Sequence, residues 1–214
     1  MKIGVFGGGF KPFTTGHFSK ISLSLDDNDI TYLFYGVSPR KKNSDFLYTE
    51  EMAERIFNIV KSSLDEMFGD RIIVKKGVPN PLVEIFFLIE RIKNDKNSND
   101  LLTVYSGEDD EHRFTKYIGT PLEEKYFGNL VSDNRLFFTS GDIERLTMSM
   151  KNFYPTLSNK KIEDLVKVRG SAIRRAVLKK DVESVKNYVP SFLFETNYNG
   201  IRSSDEFLKV LCGG

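Results

Sequence analysis

The stretch Gly7-Gly8-Gly9-Phe10-Lys11-Pro12-Phe13-Thr14-Thr15-Gly16-His17 decides the fold. An apolar strand pattern, Ile3-Val5-Phe6, runs into it, and a helical pattern, Phe18-Ile21-Ser22-Leu25, runs out of it. A glycine-rich turn between a first strand and a first helix is where α/β proteins hold phosphates. The N–H groups that open a helix have no intrahelical partner, and the helix dipole adds partial positive charge there. His17 falls at the start of that helix, where an imidazole N–H can reach a phosphate oxygen. The spacing differs from the dinucleotide fingerprint, G-x-G-x-x-G with an acidic residue about 20 positions on. The turn is therefore a phosphate site of another kind.

Outward from this turn, apolar runs mark five strands: Lys2–Phe6, Ile30–Val37, Arg71–Val74, Leu101–Tyr105 and Leu136–Thr139. Helical patterns separate them. Thr49 caps one that carries Met52, Ile56, Ile59 and Val60; Asn80 caps another, with Pro81 at its first position and Leu82, Ile85, Phe86, Ile89 and Ile92 following. This alternation predicts a Rossmann-like α/β fold, a five-stranded parallel sheet with helices on both faces. The first strand is expected to be central, beside the switch point where ligands bind. Residues 93–100 read as a polar surface loop, and 118–134 and 142–160 carry weak signals. Beyond Lys160 helical patterns run from Ile162 to Val168, Gly170 to Lys180, Val182 to Tyr188 and Asp205 to Leu211. Residues 1–175 are expected to form the nucleotide-handling domain, and 176–214 a helical extension packed on it. The pairs Phe86-Phe87 and Phe137-Phe138, and Phe192 to Phe194, read as core.

Composition narrows the function classes. The 214 residues carry a net charge of +1, which gives no general attraction to nucleic acid or to an anionic membrane. The single Cys212 excludes an intrachain disulfide and fits a reducing compartment. No apolar run reaches the ~18 residues of a spanning helix. The first strand opens at Lys2, which leaves no room for a signal peptide, so a cytoplasmic protein is expected. A homo-oligomer is left open.

A second stretch, Val168-Arg169-Gly170-Ser171-Ala172-Ile173-Arg174-Arg175, opens a later helix. Gly170 permits close backbone approach. Ser171 can cap the helix and offer a hydroxyl, and Arg174 lies one turn on along the same face. Backbone amides, a hydroxyl and a guanidinium suit a second phosphate group. Two such sites at opposite ends of the chain point to a polyphosphate between them.

The two stretches resemble the paired motifs of the nucleotidyltransferase superfamily. Gly9 to His17 is similar to the [H/T]-x-G-H motif, and Val168 to Arg174 is similar to I-S-[SG]-T-x-I-R. The resemblance implies that a phosphate monoester attacks the α-phosphate of an NTP and releases pyrophosphate. It implies that Thr14 and His17 contact the phosphates in transfer, and that Gly16 lets the helix start approach the nucleotide. Ser171 and Arg174 would hold the β- and γ-phosphates, and Gly170 would add backbone donors. Gly8, Gly9, Phe10 and Ile173 complete the expected nucleotide contacts. Lys11 replaces a frequent Asp or Gln, and its charge could orient the attacking phosphate. Mg²⁺ is expected to arrive on the triphosphate, without a protein cage. Thr14 stands where the first His is commoner, as it does in phosphopantetheine adenylyltransferases. Arg169 replaces a usual Ser, leaving open a phosphate contact or exposure to solvent.

Ser106-Gly107-Glu108-Asp109-Asp110 follows the fourth strand, where the resemblance implies a Gly-x-Asp turn with Asp109 as its carboxylate. Arg40 and Lys41 after the second strand, with Arg55 on the next helix, would suit the acceptor's phosphate. Phe10-x-Pro12-Phe13 and Gly170-Ser171-x-Ile173-Arg174-Arg175 look closest to archaeal-type nicotinamide mononucleotide adenylyltransferases, which read R-F-Q-P-F-H-x-G-H and I-S-G-T-x-I-R-R. That implies ATP as donor and nicotinamide mononucleotide as acceptor. The chain has no Trp to stack on the nicotinamide ring, which leaves Tyr35, Tyr105 or a Phe to serve. The alternatives are a cytidylyltransferase, a phosphopantetheine-type adenylyltransferase, and a nucleotide-binding regulator without turnover.

Overall fold

A computed structural model describes residues 1–39, 48–78, 80–95, 97–194, 197–198 and 201–212. Its centre is a parallel sheet of β1 (Lys2–Gly8), β2 (Ile30–Tyr35), β3 (Ile72–Lys76), β4 (Leu101–Tyr105) and β5 (Leu136–Thr139). The strand order is β3-β2-β1-β4-β5, so β1 is central and the order reverses beside it. Ile3, Val5, Phe34, Leu102, Val104 and Leu136 point to one face of the sheet, and Phe6, Leu33, Tyr35, Val74 and Tyr105 to the other. Burial on both faces explains why each strand reads as a nearly unbroken apolar run.

The first face is covered by α3 (Pro81–Asn94), α4 (His112–Thr115) and α5 (Glu123–Phe127). The second carries α1 (Thr15–Asp27), α2 (Glu50–Phe68), α6 (Ile143–Lys151), α7 (Asn159–Val166), α8 (Gly170–Leu178), α9 (Val182–Tyr188) and α10 (Ser203–Cys212). The short strands β6 (Asn197–Tyr198) and β7 (Ile201–Arg202) pair antiparallel before α10. Thr49 and Asn80 cap α2 and α3 through their side-chain oxygens. α8 runs across the 175/176 boundary, and Phe207, Val210 and Leu211 of α10 share one buried cluster with Ile56 of α2.

Several boundaries differ from the sequence reading. β2 stops at Tyr35 because the ladder to β1 ends with Gly8; Gly36 makes a last N–H contact to the Gly8 carbonyl at 2.9 Å, and Val37 lies outside. Arg71 closes a 3₁₀ turn, and β3 instead continues through Lys75 and Lys76, exposed on an edge strand. The weakly patterned segments hold α5, α6 and the start of α7. Phe87 and Phe137 are not core: at 57% and 43% exposure, one faces outward from α3 and the other lies on the edge strand β5.

Candidate active site

The carboxyl ends of the strands surround a cavity of about 670 Å³. Phe6 to Phe10 form its base, and Gly16, His17 and Lys20 of α1 form one wall. The β4–α4 connection contributes Ser106 to Asp110, the β5–α6 connection Gly141, and the end of α7 with the α7–α8 connection Val166 to Arg169. Asn80, Pro81 and Leu82 bring the start of α3 to the opposite side.

α1 opens on a reciprocal cap. The Thr14 hydroxyl accepts the His17 backbone N–H at 3.1 Å, and the Thr14 backbone N–H donates to His17 Nδ1, also at 3.1 Å. Thr14 Oγ1 also lies 3.0 Å from Nδ1 and donates its own hydrogen to the Val168 carbonyl at 3.0 Å. Nδ1 is thus an acceptor, and the proton of the neutral ring resides on Nε2. Phe10 and Phe13 flank the imidazole, with ring centroids 4.9 and 5.9 Å away. This apolar packing disfavours the charged ring and lowers its pKa from 6.5 to about 4. Phe10 itself adopts φ +35°, left-handed backbone that a bulky residue rarely takes, while its ring packs on Phe6 and Tyr35.

The remote stretch closes against this turn. Besides the Thr14–Val168 bond, Arg174 donates to the Lys11 carbonyl, and Thr15 Oγ1 donates to the Leu165 carbonyl at 2.8 Å. Gly16 and Gly170 make the approach possible. A Cβ on Gly16 would lie 2.3 Å from the Val168 oxygen, and one on Gly170 would lie 2.8 Å from the Lys11 oxygen. The starts of α1 and α8 are therefore locked together through backbone carbonyls.

The residues singled out in the sequence divide into groups. Gly8, Gly9, Phe10, Gly16, His17, Ser106, Gly107 and Asp109 line the cavity. Thr14 does not face it: the side chain is fully buried and acts on the site by fixing His17. Ser171 is exposed and does not cap α8, because the helix begins one residue earlier and Arg169 occupies the cap position without a side-chain cap bond. Ile173 is fully buried in the core, where it anchors α8 instead of meeting a nucleotide. Lys11 and Arg174 border the closure; the Lys11 Nζ donates to Ser38 Oγ at 3.0 Å. Arg55 turns to Glu206 on α10 and is not among the cavity-lining residues. Arg40 and Lys41 lie outside the described residues. Tyr35 and Tyr105 cannot stack on a ligand ring. Both are buried, with hydroxyls donated to the Phe10 carbonyl and to Asp27. Phe114 is the aromatic side chain that the β4–α4 segment brings to the cavity.

Sequence reasoning missed Lys20 and the wall at Asn80 and Pro81, and it left Arg169 open between a phosphate contact and solvent. Arg169 lines the cavity and pairs with Asp109 at 2.7 Å, joining the β4–α4 loop to the start of α8. Lys20 stands three residues after His17, a spacing that signals a shared helix face. Asn80 and Pro81 carried only a capping signal. Ser106 adds a polar atom in search of a partner: the residue lines the cavity, and its buried hydroxyl has no hydrogen-bond partner among the described residues. A second recess, lined by Met1, Lys2, Asp26 to Asp29 and Arg71, opens at the other edge of the sheet; there Asp29 accepts the Lys2 N–H, and Asp27 pairs with Arg145. No helix among the described residues is long and apolar enough to cross a membrane.

No protein-family model matches the chain. No curated protein matches it either. Solved structures do. One is of a Vibrio parahaemolyticus protein assigned as a nicotinate-nucleotide adenylyltransferase, with 18% identity, coverage of 90% of this chain and 96% of the other, and a TM-score of 0.48. Another is the nicotinic acid mononucleotide adenylyltransferase of Plasmodium falciparum in complex with NaAD, with 19% identity, 90% and 92% coverage, and a TM-score of 0.47.

Proposed function

We propose that the protein is a nucleotidyltransferase that joins the nucleoside monophosphate of ATP to the phosphate of nicotinamide mononucleotide. An acceptor phosphate oxygen forms a bond to the α-phosphorus, the bond from that phosphorus to the bridging oxygen breaks, and pyrophosphate leaves with the electron pair. No covalent enzyme intermediate is needed, so positioning and charge stabilisation carry the reaction. The observation that carries this reading is the closure of the two motif stretches at one cavity: Thr14 on the Val168 carbonyl and Arg174 on the Lys11 carbonyl.

Neutral His17, with its proton on Nε2, donates a hydrogen bond to the α-phosphate. Thr14 is a positioning residue that holds the tautomer. The start of α8, with Ser171 and Arg174, takes the β- and γ-phosphates, and Lys11 and Ser106 border the acceptor and donor phosphates. Glu108, Asp109 and Asp110 are consecutive, and two of them pair with Arg169 and Arg113. This donor set fits an ion carried in on phosphate oxygens better than one caged by protein. Mg²⁺, when so bound, offsets triphosphate charge. We take the substrates to be small molecules and the compartment to be the cytoplasm, in keeping with the single cysteine.

The test is a matrix of four NTPs against nicotinamide mononucleotide, nicotinic acid mononucleotide, phosphopantetheine and phosphorylated alcohols, with pyrophosphate release as readout. Release with ATP and nicotinamide mononucleotide is expected. A cytidine preference would move the protein to another branch of the superfamily. Tight ATP binding without release from any pair would make it a regulator.

A further inference from the structure

Resting on the nucleotidyl-transfer reading above, we infer that Lys20 is a further substrate-contacting residue, its ammonium holding a phosphate oxygen of the nucleotide beside His17. The two residues are three apart on α1, which puts their Cβ atoms about 5–6 Å apart on one face. Both line the cavity, while Phe18 and Ser19 between them are buried.

The Lys20 ammonium is held ready without being neutralised. It donates to the Ser140 carbonyl on the β5–α6 connection, a neutral partner for a group with three donors. Of the other cavity-lining cations of the β4–α4 and α7–α8 segments, Arg113 is engaged with Asp110 at 2.9 Å and Arg169 with Asp109 at 2.7 Å, whereas Lys167 is exposed. No carboxylate among the described residues is in ion-pair contact with Lys20. Burial lowers its pKa, and the carboxylates of Glu108 and Glu111 oppose that shift. The same cavity holds the orphaned hydroxyl of Ser106, 4% exposed. A half-buried cation and a buried unpartnered hydroxyl both gain when an anion with several acceptor oxygens enters. His17, neutral, can donate a hydrogen bond but brings no net charge to the charge that develops in transfer. Lys20 supplies that charge from the same helix face, anchored in advance by Ser140.

The experiment compares wild type, Lys20→Met and Lys20→Arg. Pyrophosphate binding is followed by calorimetry, steady-state kinetics are measured with ATP, and Tm is recorded. Met is expected to weaken pyrophosphate binding about tenfold or more. Turnover should drop by about 10²-fold, and Arg should recover a substantial part of both. A loss confined to Tm, with pyrophosphate affinity unchanged, would reduce Lys20 to a structural pin on Ser140 and overturn the inference. Should the Met variant not fold, amine-reactive labelling of wild type with peptide mass spectrometry decides. Pyrophosphate should protect Lys20, and equal labelling with and without it overturns the contact. Wild type that releases no pyrophosphate from any substrate pair refutes the transfer reading alone, because binding and protection are read independently of turnover.

Discussion

Protonation of His17 offers a direct physical test of the site. The ring's ordinary pKa of 6.5 falls to about 4 because Phe10 and Phe13 enclose it and Nδ1 already accepts the Thr14 N–H. That displacement corresponds to about 3 kcal/mol in favour of the neutral form, an upper figure because the outer ring edge meets water in the cavity. The folded pKa lies below the unfolded one, so this stabilisation is complete above about 6.5. It is lost progressively as pH falls from there toward about 4, because the unfolded chain gains a proton that the folded chain refuses. The sequence has two histidines, so NMR of the imidazole nitrogens gives two titrations, and a His112→Gln variant assigns them. His17 is expected to remain neutral with its proton on Nε2 down to about pH 4. Pyrophosphate should raise its midpoint, since a nearby anion favours the imidazolium. A midpoint near 6.5 in the free protein, or a proton on Nδ1, would refute the argument that burial and Thr14 set the donor.

Other substitutions test the closure. Gly16→Ala places a methyl within 2.3 Å of the Val168 oxygen and 2.7 Å of the Val166 oxygen, both backbone. It should cost about 1–3 kcal/mol, lower Tm by several degrees in calorimetry, and abolish the Tm rise given by ATP. Ser106→Ala removes an orphaned hydroxyl and should leave stability unchanged or raise it by about 1 kcal/mol, while ATP affinity falls; marked destabilisation in urea titrations would show that the hydroxyl has a partner. Arg174→Ala should raise KM for ATP about tenfold with a smaller effect on kcat, and an unaltered ATP saturation curve would remove it from the triphosphate. His17→Ala should lower turnover by about 10²-fold with little change in ATP binding by calorimetry.

The sheet was legible because doubly buried strands are apolar throughout, and the glycine-rich turn identified the central one. Thr49 and Asn80 were legible because caps are local chemistry. α6 was not, because it buries Thr147 and Ser149 beside Leu146 and Met150, and that polarity hides its periodicity. Within the site, residue types were readable but side-chain directions were not. Thr14 and Ser171 both carry hydroxyls in the motifs, yet one is buried on a carbonyl and the other is exposed at the start of α8. Tyr35 shares strand parity with the buried Leu33, a signal of its inward direction that a search for stacking aromatics overlooks. Lys20 and Arg169 acquire meaning only from what faces them across the cavity. Their partners Ser140 and Asp109 are distant in sequence, and no local pattern links them.

The bond from the Thr14 hydroxyl to the Val168 carbonyl joins residues 154 positions apart. A ribosome that has released β1 and α1 has therefore made only half of the grip. The tautomer-fixing cap can form early, but its outer hydrogen bond must wait for the last quarter of the chain to emerge. Under the proposed function, shorter nascent chains lack the closed site, and nucleotide would stabilise only chains in which both stretches have emerged.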